Sequence, residues 1–197
     1  MTSILPEHIA TPPKSGVPID AEHGASDGRG ADDALEQLYD EHYVRLVRLA
    51  VLLLGDAGRA EEVVQDSFVA VYRRMRRPGG DPLTNAPAYL RQTVVNRSRS
   101  VLRHLKVVAQ HPTEAPTHAA GADDDLLHGV RRRQVIDALA RLPRRQREVL
   151  VLRHYLDLSE KEIAETLRIS AGAVKSHASR GAAALRRNLS QLLEENA

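Results

Sequence analysis

Cysteine and tryptophan are absent from the 197 residues, and phenylalanine occurs once. Without thiols there is no disulfide framework, no cysteine nucleophile and no cysteine-bound zinc. One Phe and five Tyr leave little aromatic surface for stacking ligands. Long apolar runs are missing too: the longest, Leu49–Leu54, has six residues, against the roughly 20 that span a bilayer. The N-terminus carries neither a basic flank nor an apolar core segment, so no signal peptide is expected. These features predict a cytoplasmic protein without membrane insertion. Apolar–polar alternation never persists at period two, so no strand is predicted. There is no Gly-rich phosphate loop and no nucleophile elbow. His104, His111, His118 and His128 lack the H-x-x-x-H or H-E-x-x-H spacing of a metal site and read as solvated surface. No catalytic residue, metal or cofactor is expected, and an enzyme is disfavoured.

What the chain does have is charge, and the net value of +2 conceals its segregation. Residues 1–33 carry 2 basic and 6 acidic side chains, 34–108 carry 12 and 8, 109–130 carry 0 and 4, and 131–197 carry 14 and 8. Two basic blocks thus alternate with two acidic ones. Basic blocks favour polyanions such as nucleic acid, and acidic connectors avoid sticking to the same polyanion.

Residues 1–31 contain four Pro and four Gly without apolar periodicity. They cannot bury enough surface to offset ordering entropy, and a disordered extension is expected there. Asp33 with Glu36 reads as a capping box opening a helix. Leu35, Leu38, Tyr39, His42, Tyr43, Leu46, Ala50 and Leu53 follow at helical spacing, and Gly55 stops it. A second helix spans about 58–76, with Val63, Val64, Phe68, Val71, Tyr72 and Met75 inward. A third opens at the N-cap Asn85, with Pro87 in its first turn and Leu90, Val94, Val101 and Leu105 inward. These helices make a bundle over 32–108. Residues 109–125, with Pro112, Pro116, Gly121 and Asp123–Asp125, read as an acidic linker. A second bundle over 126–197 begins with a helix marked by Leu127, Val130, Ala138, Leu139 and Leu142. Pro143 opens the next, with Val149, Leu150, Leu152 and Tyr155. Ser159 and Glu162 form another capping box, and Ser170 caps a last helix running to about Leu193. The predicted fold is all-α: two small helical bundles joined by a flexible linker.

The stretch from Ser159 to His177 carries the sharpest pattern. Ile163, Ala164, Leu167, Ile169 and Val174 are spaced for two short helices crossing at a tight turn. Lys175, Ser176, Ser179 and Arg180, then Arg186 and Arg187, are left on the outer face of the second helix. Such a helix fits the major groove, where Lys and Arg read guanine and Ser serves bases or phosphate. An ordinary helical hairpin with a solvated basic face is the alternative. On the third helix Arg91, Arg97, Arg99, Arg103, His104 and Lys106 surround Asn96, Ser98 and Ser100. This mix suits phosphate contacts with hydrogen bonds to exposed base edges, or simply a charged, solvated helix. The outer face of the second helix, with Glu61, Glu62, Gln65, Asp66 and Arg73, suits a protein partner better than DNA, or plain solvent.

Taken in order, these segments resemble a bacterial RNA polymerase sigma factor of the sigma-70 family, in its extracytoplasmic-function group. The resemblance covers about residues 34–106 and 131–190. The run Ala60-Glu-Glu-Val-Val-Gln-Asp-Ser-Phe-Val-Ala-Val-Tyr-Arg is similar to the helix by which the family's region 2 binds the polymerase clamp. Asn85-Ala-Pro-Ala-Tyr-Leu-Arg-Gln-Thr-Val-Val-Asn-Arg-Ser-Arg-Ser is similar to the part that melts and reads the minus-10 element. Leu142-Pro-Arg-Arg-Gln-Arg-Glu-Val-Leu-Val-Leu-Arg and Val174-Lys-Ser-His-Ala-Ser-Arg are similar to region 4, a helix-turn-helix that reads the minus-35 element.

The resemblance implies core RNA polymerase as partner, through its beta-prime clamp and beta flap, with promoter DNA and a cognate anti-sigma factor. Glu62, Gln65, Asp66 and Arg73 then face polymerase. Asn85, Asn96, Arg97, Arg99, Ser100 and Arg103 then serve the minus-10 element, and the Asp81–Asn85 loop lies where the family holds a flipped base. Lys175, Ser176, His177, Ser179 and Arg180 then serve the minus-35 element. The linker is implied to thread towards the polymerase channel. Some positions depart from the family pattern. Tyr72 and Tyr89 stand where Trp is frequent, Ala173 replaces a frequent Thr, and His177 a frequent Arg, which predicts slight pH sensitivity. Gly181 inside the last helix is expected to cost about 1 kcal/mol relative to Ala. A free-standing helix-turn-helix regulator is the competing reading. It predicts an oligomer and operator binding without polymerase.

Overall fold

The computed structural model describes residues 25–77, 83–110 and 126–195. Among them are seven helices: α1 (Ala25–Leu54), α2 (Ala57–Met75), α3 (Ala86–Gln110), α4 (Leu126–Ala140), α5 (Arg144–His154), α6 (Glu160–Leu167) and α7 (Ala171–Glu195). The expected linker core, 111–125, and residues 1–24 lie outside the described residues.

Helices α1, α2 and α3 pack pairwise into the first bundle. Their apolar stripes meet in a core of Leu46, Leu49 and Leu53 from α1, Val64, Phe68 and Val71 from α2, and Leu90, Val94 and Val95 from α3. Tyr39 and Tyr43 stack with ring centroids 4.5 Å apart, and Phe68 tilts against both. The buried Ser67 and Ser98 hydroxyls donate to the carbonyls of Val63 and Val94, one turn back, which satisfies them without a cross-helix partner. Gly55 ends α1 at φ +79°, a conformation glycine adopts without strain. Asp56 then caps α2 by accepting from the Arg59 N–H at 2.8 Å. Asn85 caps α3 in the same way through the Ala88 N–H.

In the second bundle α5 and α6 pack against α7, and α4 closes its far side. Val149, Leu152, Ile163, Leu167 and Val174 are its most buried side chains. Pro143 precedes α5 as its N-cap residue.

Two expectations need correction. Helix α1 begins at Ala25, within the stretch expected to be disordered, so Asp33 and Glu36 lie inside the helix and form no capping box. Extending an already packed helix costs far less than nucleating one, and Asp32 is held from α2 by the Tyr72 hydroxyl at 2.8 Å. Val130, one of the apolar positions that mark α4, is 54% exposed. Among the described side chains of α4 the buried ones are Ala138 and Leu139 at its C-terminal end, with Leu142 just beyond.

The two bundles are in contact. They share one continuous core, with α4 and α5 against α1 and α6 against α3. Arg147, almost wholly buried, donates to the carbonyls of Leu53 (2.6 Å), Ala140 (2.8 Å) and Leu142 (3.4 Å). Its charge thus sits at the C-terminal ends of α1 and α4, where helix dipoles favour a cation. Arg45 donates to the Leu156 carbonyl at 3.0 Å, and the Tyr155 hydroxyl donates to the Arg45 carbonyl at 3.2 Å.

Candidate nucleic-acid interface

The α6–α7 unit is built as a helix-turn-helix. Ser159 caps α6: its hydroxyl accepts from the Glu162 N–H, and the Glu162 carboxylate accepts from the Ser159 N–H at 2.8 Å and hydroxyl at 2.6 Å. The hydroxyl and backbone bonds from Ser159 together hold the Glu162 carboxyl below the usual carboxylate range. At the other end Arg168 adopts a left-handed conformation, φ 52°, and the Ile169 N–H reaches back to the Ala164 carbonyl at 3.1 Å. This six-residue closure ends α6 in the manner of a Schellman turn. The Ser170 hydroxyl then accepts from the Ala173 N–H and opens α7.

Helix α7 turns Val174, Ala178 and Gly181 inward and leaves Lys175, Ser176, Ser179 and Arg180 exposed. That is the predicted reading face, with one exception. His177 lies on the flank of the buried stripe, half-buried, with Nδ1 enclosed and unpartnered. It does not stand with the other four, because a three-residue step from Val174 carries it towards the core side. The Arg180 guanidinium folds back along the helix, donating to the Ser176 hydroxyl at 2.7 Å. Lys175 Nζ lies 3.7 Å from Glu160 of α6.

On α3, Asn96, Ser100 and Arg103 are exposed, and Asn85 is exposed at the N-cap with its side-chain oxygen engaged by Ala88. Arg97 pairs with Asp66 of α2 at 2.8 Å, so a residue expected to serve DNA and one expected to serve a protein partner are adjacent. Arg99 departs from expectation. Its Nε and Nη2 bind both carboxylate oxygens of Glu148 on α5, at 2.8 and 2.9 Å, and its side chain is only 14% exposed. Arg91 also turns inward, lining a cavity of about 90 Å³ between the bundles with His42, Arg45, Pro87, Leu156 and Leu158. Burial lowers its pKa from the ordinary arginine value. Residues 78–82, which include most of the loop expected to hold a flipped base, lie outside the described residues.

On α2, Glu62, Gln65, Asp66 and Arg73 are exposed along one stripe. Val69 completes it at 46% exposure. The sequence reading missed Val69, although its spacing of three and four from Asp66 and Arg73 places it on the same face. Tyr72 and Tyr89 anchor the flanks of this helix, with Arg76 and Arg74 each 5.5 Å from the respective ring centre.

A three-helix bundle with an apolar-centred stripe on α2 and a polar, basic α3, joined in one chain to a helix-turn-helix with an exposed reading face, defines a two-part DNA-binding protein. The comparisons with known proteins specify which. The family descriptions "Sigma-70 region 2" and "Sigma-70, region 4" match residues 38–107 and 132–185. RNA polymerase sigma factor CarQ of Myxococcus xanthus is 32% identical over 165 residues, covering 83% of this chain and 93% of CarQ. ECF RNA polymerase sigma factor SigL of Mycobacterium tuberculosis is 32% identical over 162 residues, covering 80% of this chain and 90% of SigL. The sigma factor RpoE of Bartonella quintana, solved in complex with the anti-sigma factor NepR, shares the fold with a TM-score of 0.62 at 20% identity, over 82% of this chain and 98% of RpoE. The chain belongs to the sigma-70 family, in its extracytoplasmic-function group, and is an alternative sigma factor directing promoter-specific transcription. The free-standing regulator is not favoured.

Proposed function

We propose that this sigma factor divides its work among three surfaces. The α2 stripe of Glu62, Gln65, Asp66, Val69 and Arg73 docks on the clamp of core RNA polymerase, with Val69 as its apolar centre. Asn96, Ser100 and Arg103 on α3, with Arg97 beside them, contact the minus-10 strand as it melts. Lys175, Ser176, Ser179 and Arg180 on α7 enter the major groove at the minus-35 element, while the second bundle rests on the beta flap. The chain performs no chemistry of its own and acts in the cytoplasm. Among the described residues no helix is long and apolar enough to cross a membrane. A cognate anti-sigma factor binds it and holds it inactive; RpoE, which shares this fold, was solved in complex with the anti-sigma factor NepR.

The observation that carries this reading is that the α2 stripe, the Asn96/Ser100 edge and the α7 face are all solvent-exposed on one chain whose core is otherwise closed. Run-off transcription with core polymerase on a promoter library tests it. Adding the protein should create discrete start sites. These should disappear with Asn96→Ala plus Ser100→Ala, and with Lys175→Ala plus Arg180→Ala. No stimulation of any active core, together with tight duplex binding by the protein alone, would overturn it.

A further inference from the structure

Arg99, one of three arginines expected to serve the minus-10 element, is committed to another partner in this structure. Its Nε and Nη2 donors are committed to Glu148, a carboxylate from the other bundle that is 3% exposed. Arg99 Nη1 also donates to the Asn96 side-chain oxygen at 3.0 Å, drawing a second minus-10 candidate towards the same seam. Meanwhile the α2 stripe and the α7 reading face stay open. The closed arrangement therefore withholds one guanidinium of the proposed minus-10 surface, while Asn96, Ser100 and Arg103 stay exposed.

We propose that Arg99 and Glu148 form a latch that closes the two bundles on each other, and that promoter engagement and closure compete for the same guanidinium. The chemistry of the exchange is balanced. A phosphodiester offers Arg99 two acceptor oxygens and one negative charge, as Glu148 does, so the bidentate geometry transfers from one to the other. Nor is Glu148 orphaned when Arg99 leaves. Arg145 donates to it at 3.0 Å and Arg144 lies 3.7 Å away, both on its own helix. Release of Arg99 thus strands no buried charge at the latch itself, which lowers the cost of exchanging one partner for the other. Beside the shared apolar core, hydrogen bonds from Arg147, Arg45 and Tyr155 to backbone carbonyls also cross the seam. Because the α2 stripe is exposed in the closed form, polymerase docks first and opening follows. The inference rests on the sigma-factor reading for the DNA role of Arg99.

The absence of cysteine from the chain permits clean double labelling. Spin labels at Asp40→Cys and Ser190→Cys, both on exposed positions of the two bundles, report the distance between them in the full-length protein. The latch predicts one narrow distance distribution in the parent, and a broadened, longer one in both Glu148→Gln and Arg99→Ala. Arg99→Ala leaves the Glu148 pairs within α5 intact, so it controls against simple damage to that helix, and the helical circular dichroism signal checks the fold of each. A fluorescent single-stranded oligonucleotide carrying a selected minus-10 sequence provides the second readout. Glu148→Gln leaves every proposed DNA-contacting side chain in place and should tighten binding by about fivefold or more, as closure no longer competes. Unchanged distances in both variants would overturn the latch, and so would opening without tighter binding. Failure of the sigma-factor reading appears elsewhere, as the absence of any start site with polymerase and the parent protein.

Discussion

Single residues decide where this molecule departs from simple propensity. Gly181 is unfavourable by helix propensity, yet a Cβ there would lie 3.1 Å from Leu150 Cδ1 and 3.2 Å from Gln146 Cβ. The glycine is what lets α5 and α7 approach. Gly181→Ala should therefore fail to deliver the propensity gain of about 1 kcal/mol, because overpacking costs about 1–3 kcal/mol. A chemical-denaturation midpoint at or below that of the parent is the expected result. Arg147 is the opposite case, a charged residue whose burial looks costly and whose donors are largely spent on carbonyls of three residues. Arg147→Met keeps most of the volume and removes the donors. It should destabilise by about 2–4 kcal/mol, read as a lowered melting temperature with loss of contact between the bundles.

The same logic extends to elements. Helix α6 has eight residues, too few to persist alone, so its caps matter. Ser159→Ala removes the side-chain cap and should cost about 1 kcal/mol, measured by denaturation. The Glu162 carboxyl titrates below the usual carboxylate range because the ionised form accepts the Ser159 hydrogen bonds. Its folded pKa is depressed, so its contribution is fully present above the ordinary carboxylate value of about 4.3 and is lost as pH falls through the lowered folded value. Amide-exchange protection of α6 should accordingly be flat from neutral pH down to that range and fall only below it.

At this scale the sequence was largely readable. The α2, α3, α5, α6 and α7 boundaries follow from Asp56, Asn85, Pro143, Ser159 and Ser170, although Asp56 itself went unnoticed. The start of α1 was misplaced because Asp33–Glu36 imitates a cap, and nothing local reveals that the helix already runs through it. Val130 was misread because periodicity marks a face without showing how far along the helix a neighbour extends. Arg99, Arg91 and His177 look like surface positions on their own helices. The carboxylate that binds Arg99 is 49 residues away, and no local pattern encodes such a meeting.

Across the whole molecule, two bundles that look separable by charge and by their acidic connector share one core. Charge segregation carries no information on whether the halves touch. In the proposed scheme the closed form presents the α2 stripe and the α7 face while holding back Arg99, so polymerase docks before the latch opens. The central claim is that one chain reads two promoter elements with two distinct surfaces. The most direct test is a transcription-based selection from a promoter library randomised at both elements. It is run with core polymerase and either the parent protein or the Lys175→Ala plus Arg180→Ala variant. The account predicts that the variant loses sequence preference at the upstream element and keeps it at the downstream one. Preferences that persist at both elements, or vanish at both together, would contradict it.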